Sequence, residues 1–170
     1  KDIDDIRHSF RKFAELLPAD GALIINADTP KYEMVAENLP CKVITYGLEH
    51  DAEYTASDIT YDEFGHPTFH VLHNGEDIGT CSLKVPGIHN VSNALASIAA
   101  GRLLGLDNEV IFAGLKDFGG TDRRFQYKGK VGEVTIIDDY AHHPTEIEAT
   151  LHAAHNYPHK KIWCVFQPHT

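Results

Sequence analysis

Asp138-Asp139-Tyr140-Ala141-His142-His143-Pro144-Thr145 gathers two carboxylates, a phenol, two imidazoles and a hydroxyl into eight positions, directly after the apolar run Thr135-Ile136-Ile137. Groups of this kind can exchange protons near neutral pH, accept hydrogen bonds from hydroxyls, or bind divalent metals. The apolar run reads as a strand, and Pro144 followed by Glu146-Ile147-Glu148 reads as the start of a helix. Acids near a helix start also suit the positive end of its dipole, so simple capping is the plainer account. Polar density where a strand passes into a helix favours a site, because ligands of open α/β sheets bind at the carboxyl ends of strands.

Other residues could join that chemistry. Arg123-Arg124 follow Gly119-Gly120 in an acidic chain and could clamp phosphate, since guanidinium matches phosphate oxygens two at a time. Asn90 and Asn93 stand three apart, on one side of a helix's first turn. They either cap that helix or present donor and acceptor to a planar polar group such as a base. His152, His155 and His159 lack the accompanying Cys or carboxylates of a tetrahedral zinc site, so no metal site is assigned. Neither Gly-x-x-x-x-Gly-Lys-Ser/Thr nor Gly-x-Gly-x-x-Gly occurs, so these residues bring no phosphate-cradling loop.

Around these groups the pattern is α/β. Asp5–Leu17 spaces Ile6, Phe10, Phe13 and Leu16 as one apolar helical face. Ala22–Ala27 and Lys42–Gly47 read as buried parallel strands, with a helix from Asp28-Thr29-Pro30 to Leu39 between them. Alternating runs over 52–85, broken at Asp62–Gly65 and at Asn74-Gly75, predict an antiparallel meander. Helices follow over 89–104, with Val91, Ala94, Leu95 and Ile98 on one face, and over 107–118. Phe125–Lys128 is expected to pair with Val134–Asp138, and Lys161–Phe166 to form a further buried strand. A domain boundary is expected at Gly119-Gly120, giving units 1–118 and 119–170.

The bulk numbers exclude several classes. A net charge of −10 over 170 residues argues against a nucleic-acid or anionic-membrane surface. No apolar run approaches the roughly 20 residues of a membrane span, and no secretory signal stands at the start. Cys41, Cys81 and Cys164 are odd in number and far apart, which suggests buried free thiols in a reducing cytoplasm. The first residue is not Met and the last strand has no helix after it, so the chain is expected to be part of a longer protein.

Four motifs in this order carry a resemblance: His89-Asn90-x-x-Asn93-Ala94-x-Ala96, Arg123-Arg124-Phe125, Asp138-Asp139-Tyr140-x-His142-His143-Pro144, and Phe166-Gln167-Pro168-His169. Together they resemble the Mur ligases, nearest to the branch that joins L-alanine to UDP-N-acetylmuramate for peptidoglycan. The resemblance implies the later part of a central ATPase domain with a mixed or parallel sheet, then the first βαβ part of a Rossmann-like C-terminal domain. It implies ATP and Mg2+ as cofactors, with the Mg2+ ligands and phosphate loop in the missing remainder of the ligase. By the same resemblance Asn90 and Asn93 contact adenine, Asp139 holds the ribose and Arg124 reaches the phosphates. Tyr140, His142, His143 and His169 fall in motifs that face the substrates; His142 and His143 join Arg124 as catalytic candidates. Two other activities stay open: the related ligase that recycles murein tripeptide, and a metal-dependent phosphoesterase using Asp138, Asp139, His142 and His143. A non-catalytic nucleotide-binding module is the third.

Overall fold

A computed structural model describes residues 2–168. Strands β1 (Ala22–Asn26) and β2 (Lys42–Tyr46) pair in parallel, and β2 meets β3 (Tyr54–Tyr61) in parallel at Tyr46 and Tyr54. From β3 the sheet turns antiparallel through β4 (Pro67–His73) and β5 (Glu76–Ser82), in the order β1-β2-β3-β4-β5. The β4–β5 turn is Asn74-Gly75, with φ of 51° and 81°. Both residues are thus left-handed, as the tightest hairpin turn requires.

Helix α3 (Ile88–Leu103) lies on this sheet. Val91, Leu95, Ile98 and Ala99 are fully buried against Phe69, Val71 and Cys81, forming the core with Ile44 and Tyr54. Burial of side chains this size contributes about 1.5–3 kcal/mol apiece. Helix α4 (Asn108–Asp117) closes over β5, its Asn108 carboxamide donating to Ile78 O and accepting from Arg102. Gly119-Gly120 then lead to a separate antiparallel pair, β6 (Gln126–Val131) and β7 (Val134–Asp138), followed by α5 (Pro144–Asn156).

Four expectations need correcting. The helix expected from Asp28 to Leu39 shrinks to α2 (Glu33–Ala36), because Lys31 and Asn38 at its margins take φ of 60° and 56°. Helix α1 (Ile3–Ala14) forms behind a capping box of Asp2 and Asp5, but its apolar face is not buried. Arg7 and Arg11 turn toward α2, donating to the carbonyls of Pro30 and of Val35 and Glu37, while Phe10 and Phe13 stay exposed. Lys161–Phe166 is no strand: no described strand lies beside it, Val165 is 98% exposed, and the expected βαβ unit stops at β7-α5. Cys164 is consequently exposed, whereas Cys41 and Cys81 are buried as expected.

Candidate nucleotide site at the joint of the two sheets

β7 ends at Asp138, and the loop Asp139–His143 is laced to the segment before β6. Asp139 Oδ2 accepts from Phe125 N–H at 2.8 Å, and its Oδ1 accepts from Ala141 N–H at 2.7 Å. Tyr140 N–H donates to Arg123 O at 2.8 Å. These bonds hold Arg123 and Phe125 at φ of 60° and 45°, a region that costs a non-glycine residue about 1–3 kcal/mol. The backbone kink aims the two arginines apart. Arg123 lies over the Tyr140 ring at 5.5 Å and beside Asp138, while Arg124 Nη1 reaches Glu146 Oε1 at 3.5 Å.

Pro144 opens α5 at its first turn, as its fixed φ favours. Glu146 Oε2 accepts from the backbone N–H of both His142 and His143, at 3.2 Å each. Those two bonds, outweighing desolvation, hold the Glu146 carboxyl below its ordinary range, with help from His142 and Arg124. His143 is the helix N-cap and takes the Thr145 N–H on Nδ1 at 3.3 Å. His142 Nδ1 stands 3.2 Å from Tyr140 O. Both imidazoles therefore make local capping and loop contacts.

Across the joint, Gly87 precedes α3 with φ of 97° and no side-chain cap follows it. Asn90 and Asn93 do not cap this helix. Asn90 Nδ2 donates to Pro86 O at 2.8 Å and approaches His89 Nε2 at 3.2 Å. Asn93 Nδ2 donates to Asn90 Oδ1 at 3.3 Å, so the carboxamides meet as their spacing predicts. Asn93 Oδ1 makes no hydrogen bond within the described residues.

His89 was assigned no role by sequence, though it sits inside the asparagine motif. Its Nδ1 is buried without a partner, which costs about 1–3 kcal/mol for a polar group. Burial pushes its pKa below the ordinary 6.5; the Asp139 carboxylate opposes that shift and the Arg124 guanidinium adds to it. One imidazole thus senses both the ribose and the phosphate candidates, which brings the start of α3 opposite the Asp139 loop. The only sequence signal for it is its place between Gly87 and Asn90.

A crevice of about 360 Å³ runs beside this junction, lined by His66, Lys84 and Pro86 on one side and by Arg124, Phe125 and Tyr127 on the other. Tyr157, at the end of α5, bridges Phe64 and Phe125 with ring centroids 5.6 and 6.1 Å apart. Of the nucleotide candidates Arg124 lines this crevice; Asp139 is tied to its rim through Phe125 N–H, and Asn90 and Asn93 stand apart from it on the first turns of α3. Guanidinium, carboxylate and carboxamide are the partner types for phosphates, ribose hydroxyls and a base edge. His169, expected on the substrate side, lies outside the described residues.

The four residues of the phosphoesterase alternative do not converge. Asp138 faces Arg123 and Lys128, Asp139 is held by one backbone N–H on each oxygen, and the histidines face Tyr140 O and Thr145 N–H. Among the described residues no three His, Cys, Asp or Glu side chains are grouped to hold a metal ion.

Two family matches cover most of the sequence: the Mur ligase middle domain over residues 1–101, and the Mur ligase glutamate ligase domain over residues 123–170. The chain belongs to the Mur ligase family. Among Mur ligases it is similar to the UDP-N-acetylmuramate–L-alanine ligase of Lachnospira eligens, 57% identical over all of this chain and 37% of the relative. The alanine ligase of Thermotoga maritima has a solved structure that matches at 30% identity and a TM-score of 0.66, over 86% of this chain and 40% of that one. A murein peptide ligase from Psychrobacter arcticus matches at 30% identity and a TM-score of 0.67, over 89% of this chain and 32% of that one. The α/β architecture with its mixed sheet is thus the Mur ligase fold. The chain spans 37% of the length of the curated relative it matches.

Proposed function

We propose that these residues are the later part of the ATP-binding domain (1–118) and the beginning of the C-terminal domain (119–170) of a ligase that joins L-alanine to UDP-N-acetylmuramate. The observation that carries the reading is the 57% identity along the whole chain to a relative of that name. The alanine ligase and the murein peptide ligase of solved structure both match at 30%, so the preference for alanine addition over tripeptide recycling rests on the 57% relative.

In the proposed reaction a carboxylate oxygen of the sugar nucleotide attacks the γ-phosphorus of ATP and ADP leaves. The amine of L-alanine then attacks the acyl phosphate carbon, inorganic phosphate departs, and the amine nitrogen loses a proton. Positioning and charge stabilisation dominate such transfers. Asn90 and Asn93 meet the adenine edge. Asp139, fixed by two backbone N–H groups, keeps a lone pair on each oxygen for the ribose hydroxyls. Arg124 leaves Glu146 for the phosphates, while Tyr140, His142, His143 and His169 face the substrate side. Mg2+ supplies charge neutralisation on the phosphates, and its ligands belong to the remainder of the ligase. Water is excluded as the unit past Gly119-Gly120 closes on the first. No helix among the described residues is long and apolar enough to cross a membrane, which fits an enzyme using cytoplasmic ATP.

The test is phosphate release by the full-length ligase that contains this segment, with UDP-N-acetylmuramate and ATP. Turnover with L-alanine is expected; turnover with murein tripeptide alone would overturn the assignment.

A further inference from the structure

We infer that His89 is a positioning residue for base selection: its Nε2 locks the Asn90 carboxamide so that Asn90 presents its oxygen, and not its N–H groups, to the nucleotide base. The inference rests on the ATP reading above.

A backbone carbonyl can only accept, so Pro86 O at 2.8 Å identifies the neighbouring Asn90 atom as the amide nitrogen. The second N–H of that amide is the one left for His89 Nε2, 3.2 Å away. Two facing N–H groups would repel, so Nε2 holds a lone pair and the ring proton sits on Nδ1. Both donors of Asn90 are then used. Its Oδ1 accepts from Asn93 Nδ2 at 3.3 Å and keeps one lone pair. An acceptor there suits the exocyclic amino group of adenine and rejects the keto oxygen of hypoxanthine or guanine.

The lock depends on the imidazole staying in place and neutral. A Cβ at Gly87 would lie 2.7 Å from His89 Cε1 and 3.4 Å from Ala153 of α5, so the ring fills the space that glycine leaves. The charged groups facing it are Asp139, from the loop after β7, and Arg124, from the segment before β6. With burial included, the ring remains neutral at physiological pH. Protonation would put a hydrogen on Nε2 against the Asn90 N–H, removing the acceptor that holds the carboxamide and loosening its presentation of Oδ1 to the base.

The experiment uses the full-length ligase containing this segment and compares kcat/KM for ATP and ITP, which share one triphosphate and so cancel its titration. In the wild type the ATP/ITP ratio is expected to hold at neutral pH and to fall on acidification below the ordinary imidazole range, because burial lowers the His89 pKa. H89L should raise the KM for ATP about three- to tenfold, the size of one neutral hydrogen bond, with a smaller change in kcat, and lower the ratio to match. H89Q, whose Oε1 can accept from Asn90, should recover most of that loss and flatten the pH dependence. A wild-type ratio independent of pH, or H89Q no better than H89L, would overturn the inference; the wild-type profile decides if H89L fails to fold. Asn93→Ala separates the levels. If it raises the KM for ATP while H89L does not, only the His89 lock falls; if it changes nothing, the carboxamide reading falls and the lock with it.

Discussion

Arg124 Nη1 sits 3.5 Å from Glu146 Oε1, across the gap between the segment before β6 and the first turn of α5. Glu146 meanwhile takes the N–H groups of His142 and His143 on its other oxygen. The guanidinium is therefore parked on a carboxylate already engaged in capping a helix. Exposed pairs of this kind contribute little, so a phosphate of higher charge can draw the arginine away.

Arg124→Ala in the full-length ligase is expected to lower kcat far more than it weakens ATP binding. In the proposed reading Arg124, past Gly119-Gly120, meets the phosphates chiefly in the closed state, and contacts made mainly in the transition state reduce kcat and kcat/KM together. Asn93→Ala, which removes the proposed adenine contact, present throughout the reaction, should raise the KM for ATP with little effect on kcat. Steady-state kinetics of the two variants decide; weaker ATP binding at unchanged kcat in Arg124→Ala would rule out the closure role.

Asp28 should govern acid stability. Its side chain, 18% exposed, accepts from Leu48, Glu49 and His50 N–H at 2.7, 3.0 and 2.9 Å. Desolvation pushes its pKa up, but these backbone bonds and the His50 ring together bring it below 3.8. A depressed carboxylate pKa stabilises the fold above the unfolded value, near 3.8, and that contribution disappears as pH falls through the lower folded value. Asp28→Ala is expected to cost about 1.5–3 kcal/mol at neutral pH, because three backbone N–H groups lose a charged acceptor. Urea melts at pH 7 and pH 3 should show the difference between wild type and variant shrinking at the lower pH.

Thiol titration should separate the cysteines. Burial raises the Cys81 pKa to about 11, and Cys41 is also buried, whereas Cys164 is exposed. A thiolate-selective reagent at pH 8 is expected to modify Cys164 rapidly in the native 170-residue polypeptide, and Cys41 and Cys81 only after denaturation. Mass spectrometry of the labelled peptides reports the order; fast native labelling of Cys81 would contradict the packing of β5 against α3.

The 170-residue polypeptide by itself is expected to show no ligase turnover. It holds no Gly-x-x-x-x-Gly-Lys-Ser/Thr segment, and each lost donor to a developing charge alone lowers rate by about 10²–10³. ADP formation that requires both UDP-N-acetylmuramate and L-alanine would refute this.

Local pattern made much of this legible. β1 and β2 announce themselves as continuous apolar runs, Asn74-Gly75 as a turn, and the buried stripe of α3 by its spacing. The meeting of Asn90 and Asn93 follows from helical geometry alone. What stayed hidden depends on residues far apart in the chain. Asp28 resembles a helix cap next to Thr29-Pro30, yet its carboxylate serves the loop after β2. Phe10 and Phe13 form a correct amphipathic stripe, but no described residue covers it. The charges that act on His89, Asp139 and Arg124, lie across the joint, and no local periodicity encodes them.

Gly87 also sets the terms on which this site can vary. Its φ of 97° already disfavours any L side chain, and the first carbon of one would strike the His89 ring. One base change in a glycine codon leads to Ala, Ser, Cys, Arg, Val, Asp, Glu or Trp, all of which bear that carbon. Every missense step open to this codon therefore disturbs the start of α3, and even the smallest, Ala, offers no mild intermediate. An inhibitor seated against the backbone at Gly87 would therefore meet few routes of escape by substitution there.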